Sequence, residues 1–220
     1  MKKLIIFLVI GVFLAIPFAA SAGSLGTGTL NVSWSFPYGG GYYTDYDGKV
    51  ASSFGYSTDW EEIFCVSHDN ANGTELVKFY TINADLNSLV AGLYDKMIKA
   101  AWIADNWTSY ITNTMTAYDI DVLKGEAQKA VWKVMGVMDI IGSDGTDKLI
   151  YNEVLDYFSK YGNYSTSNWV YAYSSTSYGD YNYQDYLTPM SSVPEPTQML
   201  LFGTGLIALA GIGRKRFLKK

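Results

Sequence analysis

The chain has 220 residues, 49% of them hydrophobic and 17% charged, which suffices for one globular domain with a sizeable core once its two ends are set aside. Between residues 23 and 193 the formal net charge is about −11 and no lysine or arginine cluster occurs, so the basic footprint that nucleic-acid binding needs is missing. A single cysteine, Cys65, excludes an internal disulfide.

The N-terminus opens Met1-Lys2-Lys3, continues as an apolar run from Leu4 to Phe18, and ends in Ala20-Ser21-Ala22. A charged start, an apolar stretch and a small-x-small site predict a signal peptide over residues 1–22, cleaved after Ala22. Alternating stretches predict strands near 28–36 and 48–56. Residues 62–82 read as a hairpin, with Glu62–His68 as one arm, an Asn72-Gly73 turn, and Glu75–Ile82 as the other.

Asp85 opens a helical stretch in which Leu86, Leu89, Val90, Leu93, Met97, Ile98 and Ala101 recur at helical spacing. A second helix is predicted from about Val122 to Val137 and a third over about Asp147–Tyr161. The loop between them, Asp139–Asp147, lacks the spacing of an EF-hand, with Ile150 where the final Glu belongs, and reads as solvated. Strand character returns near Trp169–Tyr173. Residues 176–192, rich in Tyr, Ser, Gly and Asn, read as a stalk. This order predicts an α+β domain over residues 23–175: a β-sandwich or barrel-like sheet with an inserted helical subdomain.

The end of the chain has three parts. Val193-Pro194-Glu195-Pro196 is held extended by its prolines. From Pro196 to Gly213 there are 18 residues without a formal charge, enough for a transmembrane sorting helix at about 197–213. Arg214, Lys215, Arg216, Lys219 and Lys220 follow, which puts the extreme C-terminus in the cytoplasm and the acidic domain outside. These parts, in order over residues 193–220, resemble the PEP-CTERM sorting signal. The resemblance implies export, an inner-membrane-anchored precursor and processing by an exosortase. It also implies a final place at the cell surface or in an exopolysaccharide or biofilm matrix.

Three internal segments stand out as a set: Phe64-Cys65-Val66, Trp102-Ile103 followed by Asn106-Trp107, and Ala127-Gln128-Lys129-Ala130-Val131-Trp132. In order and spacing they resemble the thioester domains of bacterial surface adhesins, with Ala127 where that family usually has Thr. The resemblance implies an internal thioester between Cys65 and Gln128, supported by Phe64, Trp102, Ala130 and Trp132. An amine or hydroxyl on a surface or matrix partner would then open the bond and leave a covalent link through Gln128. Such a bond is used once, so the chain is expected not to be a turnover enzyme, and it calls for no cofactor or metal. Trp132, one helical turn after Gln128, is placed to shield it. The rival reading is a non-covalent matrix or exopolysaccharide-binding protein, its many tyrosines and tryptophans offering stacking surfaces. Taken singly, Cys65 is a small buried hydrophobe, and Trp102 and Trp132 are core residues. His68 lies at an odd strand offset from Cys65, so the two face opposite sides and form no protease dyad.

Overall fold

The computed structural model describes residues 24–35, 45–52, 58–67, 73–138, 145–166, 168–174, 177–178, 181–182 and 184–190. The expected signal peptide, His68, Asp139–Asp144 and the expected sorting tail at 193–220 lie outside the described residues. Among those described, no helix is long and apolar enough to cross a membrane.

Six strands close into a barrel: β1 (Ser24–Ser35), β2 (Asp45–Ser52), β3 (Glu61–Cys65), β4 (Thr74–Thr81), β5 (Trp169–Ser174) and β8 (Tyr186–Pro189). The order around the barrel is β1-β2-β3-β8-β5-β4, and every neighbouring pair is antiparallel. Two short strands, β6 (Ser177–Tyr178) and β7 (Tyr181–Asn182), form a separate ribbon between β5 and β8. Among the described residues each barrel strand has a neighbour on both sides, and such closure removes the usual route to edge-to-edge aggregation.

Between β4 and β5 the chain leaves the barrel and builds three α-helices: α1 (Leu93–Asn106), α2 (Ala117–Met135) and α3 (Thr146–Tyr161). A 3-10 turn at Ala84–Ser88 precedes α1. The first of these helices therefore starts later than the periodicity predicts, because the chain turns through Leu89–Gly92 and Gly92 adopts φ +75° ahead of Leu93. Helix α2 starts earlier than predicted. Thr116 caps it: its hydroxyl accepts from the Asp119 N–H at 3.2 Å, and Asp119 Oδ2 accepts from the Thr116 N–H at 2.8 Å.

Strand alternation sorts the core in two. Leu30, Val32, Tyr46, Val50, Ile63, Cys65, Val77, Phe79, Val170, Ala172 and Tyr186 fill the barrel interior. Phe64, Tyr80, Trp169, Tyr171 and Leu187 leave the other face of the same strands and pack with the helices. Gly48 has no side chain because Ile63 occupies the space: a Cβ there would lie 2.8 Å from Ile63 Cγ2.

Two expectations are corrected. The arms of the 62–82 hairpin do not pair: β3 lies between β2 and β8, and β4 between β1 and β5, on opposite walls of the barrel. The Asn-Gly signal carries no information about the partners of the strands it joins. Nor do residues 176–192 form a stalk throughout, since β8 closes the barrel between β3 and β5 and its Tyr186 and Leu187 are fully buried. The domain therefore continues to Pro189 at least.

Candidate functional site

Cys65 is the last residue of β3, pointing into the barrel, and Gln128 lies on the face of α2 that meets this strand. Both are buried, at 0% and 1% exposure. The Cys65 backbone N–H donates to Gln128 Oε1 at 2.9 Å, and Gln128 Nε2 donates to the Cys65 carbonyl at 2.7 Å. The carboxamide is thus clamped at both ends by the backbone of the residue that carries the only thiol. A buried amide needs such partners, and two good bonds fix its plane.

The thiol has its own surroundings. Its Sγ–H donates to the Ser67 carbonyl at 2.8 Å. The Trp132 side chain, one turn beyond Gln128, reaches out of α2 into the barrel cluster and stands against the sulfur. Burial pushes the Cys65 thiol well above its ordinary range, the contacts with Trp132 and Ser67 oppose this, and the carboxylates of Asp185 and Glu75 add to the rise. With no exposed surface, the sulfur is also shielded from bulk reagents.

Of the other expected site residues, Phe64, Trp102 and Ala130 are buried in the helical cluster rather than in the barrel. Phe64 packs edge-to-face on Trp169 at 6.1 Å, and Trp102 lies 5.4 Å from the ring of Tyr157. They hold the strand and helices that carry Cys65 and Gln128, and touch neither the thiol nor the carboxamide through any hydrogen bond in the structure. Ala127 is fully buried beside Gln128, so the position that departs from the adhesin pattern lies in the core and not at a solvent-facing rim.

The structure adds residues that the motifs do not contain. Asp185, just before β8, gathers the site's back wall. Its Oδ2 accepts from Tyr171 Oη at 2.7 Å and its Oδ1 from the Ser174 N–H at 2.8 Å. Its own N–H donates to Ser67 Oγ at 2.8 Å, and its carbonyl accepts from the Val66 N–H at 2.9 Å. Inside the barrel, Tyr186 Oη lies 3.4 Å from Glu75 Oε1 and 3.3 Å from Gln184 Oε1. Glu75 was legible in principle: in Thr74–Thr81 it alternates with Val77 and Phe79, on the face that the pattern turns inward. Among the described residues no group of three or more His, Cys, Asp or Glu side chains could hold a metal ion.

The chemistry open to this arrangement is acyl transfer. The Cys65 N–H already bonded to Gln128 Oε1 would polarise the carboxamide and continue to hold that oxygen if negative charge developed on it. Residues 192–216 match the PEP-CTERM protein-sorting motif. That motif implies an exported protein with a membrane-anchored precursor, processed by an exosortase. No curated protein and no solved structure matches the chain.

Proposed function

We propose that this exported chain is a surface or matrix protein that forms an internal thioester between Cys65 and Gln128 and spends it on covalent attachment to a partner. The single observation that carries this reading is the reciprocal pair of hydrogen bonds between the Gln128 carboxamide and the Cys65 backbone in a buried site. In the forming step the sulfur bonds to the carboxamide carbon, the carbon–nitrogen bond breaks, and the thiol hydrogen leaves with the nitrogen as ammonia. A partner's amine or hydroxyl then takes the acyl group and returns a hydrogen to the sulfur, so Cys65 ends as a thiol and Gln128 as an amide or ester. The chain turns over once and is not an enzyme in the usual sense. Burial matters because water competes with the partner, and a site sealed by Trp132 and the barrel wall limits hydrolysis.

Methylamine tests the reading directly. The exported protein should take up one methylamine at Gln128 and expose one new thiol, and the Cys65→Ala variant should do neither. Uptake that is absent in the wild type, or equal in both proteins, overturns the reading in favour of a non-covalent matrix protein in which Gln128 only ties α2 to β3.

A further inference from the structure

The Ser67 carbonyl accepts two hydrogen bonds, one from the Cys65 thiol at 2.8 Å and one from Gln184 Nε2 at 3.2 Å. Gln184 is 3% exposed and lies in the segment leading into β8, far from Ser67 in sequence. Its other amide atom is also engaged: Gln184 Oε1 accepts from Tyr186 Oη, which also reaches Glu75 Oε1. Tyr186 in turn is the direct cross-strand partner of Cys65. A continuous chain of contacts therefore runs from the thiol through Ser67, Gln184 and Tyr186 to a carboxylate buried in the barrel.

This chain has a consequence for the thioester, and it rests on the thioester reading above. When sulfur is acylated its hydrogen is gone, and the Ser67 carbonyl loses one of its two donors. Without a second donor, the half-buried carbonyl would be left with no protein partner, an unfavourable state. Gln184 prevents that, because its Nε2 stays on the carbonyl in both states. In the thiol state it also fixes the carbonyl that aims the Cys65 hydrogen, and with it the sulfur. We propose that Gln184 is the positioning residue of the site, holding Ser67 so that Cys65 is aimed before acylation and its acceptor stays satisfied afterwards. The Ser67 carbonyl can only accept, so the Gln184 amide turns Nε2 toward it and leaves Oε1 facing the Tyr186 hydroxyl, which can donate.

The test compares the full exported chain with Gln184→Met, which keeps the length of the side chain but removes the donor to Ser67. The thioester-bearing fraction and the rate of methylamine uptake are both read by intact mass. The expected result is a loss of about tenfold in the rate at which the thioester forms, the scale that misplacing a reacting group commands. Thermal stability is measured in the Cys65→Ala background, where a structural role alone would register. Tyr186→Phe, which leaves the Gln184 donor in place but frees its orientation, is expected to give a smaller loss in the same direction and guards against misfolding of the first variant. If the wild type loses ammonia but both variants form thioester within twofold of its rate, the role of Gln184 is overturned and the thioester stands. If the wild type loses no ammonia, both ideas fall together.

Discussion

At the residue scale, one sulfur and what surrounds it decide how the site behaves. Burial, more than any neighbouring charge, keeps Cys65 protonated. This changes which experiments are informative. A native protein whose thiol resists alkylation is expected whether or not a thioester exists, so reagent resistance does not separate the two cases. The Gln128→Ala variant, which cannot acylate its cysteine, isolates the effect. Its thiol should resist alkylation until the protein unfolds. Its stability should also depend on pH in a defined sense. The folded thiol keeps its proton where the unfolded one, with an ordinary pKa of about 8.5, gives it up. The contribution is therefore complete below that value and is lost as pH rises above it. Chemical denaturation across the alkaline range should show this decline relative to the Cys65→Ala/Gln128→Ala double variant, which cancels the tyrosines. A second expectation concerns Trp132. Trp132→Phe keeps part of the apolar bulk but trims the indole that covers the sulfur, so the thioester should form and then hydrolyse severalfold faster, followed as regain of a titratable thiol. An unchanged lifetime would confine Trp132 to packing.

At the scale of elements, α2 matters most because it carries Gln128 and Trp132 together and ends at Gly136, whose φ of +74° stops the helix one turn after Trp132. Its start is fixed by the Thr116–Asp119 capping box, and Thr116→Ala should destabilise the protein by about 1 kcal/mol in urea denaturation. The hydrogen bonds from Thr116 hold Asp119 below the usual carboxylate range. That part of the cap's contribution is present above the ordinary aspartate range and fades as pH falls through the depressed value. On β2, Gly48→Ala would press a methyl against Ile63 inside the barrel and should cost about 1–3 kcal/mol. Much of this level was legible in the sequence. Helical spacing found α2 and α3 because their apolar faces repeat at 3.6 residues, and β5 showed itself by its aromatic and β-branched residues. What the sequence hid was partnership. Nothing in Asn72-Gly73 says that the strands on either side go to opposite walls of a barrel. Nothing in a Tyr- and Ser-rich composition says that Tyr186–Pro189 will be a buried central strand. Cys65 and Gln128 were paired by resemblance, whereas Gln184 and Asp185 reach the Cys65–Ser67 segment only through long-range closure of β8 against β3, which no local pattern encodes.

For the whole molecule, the late position of β8 makes the domain all-or-none. Cutting the chain after residue 176 removes β8 and leaves β3 and β5 without their shared neighbour, and it removes Asp185 and Gln184 from the thiol. Such a chain should show no cooperative thermal transition by circular dichroism. A stable fold would mean that β8 is an accessory strand. The candidate site also lies close in sequence to the sorting motif. The strand that braces Cys65 ends at Pro189, only a few residues before the PEP-CTERM motif at 192–216, so little chain separates the proposed covalent grip from the segment that directs the protein to its place. The Cys65–Gln128 bond is read from intact mass. The exported protein, compared with its Cys65→Ala variant and corrected for that substitution, should be lighter by one ammonia, and the deficit should vanish on treatment with hydroxide as water opens the bond. Equal corrected masses before any treatment would contradict the account.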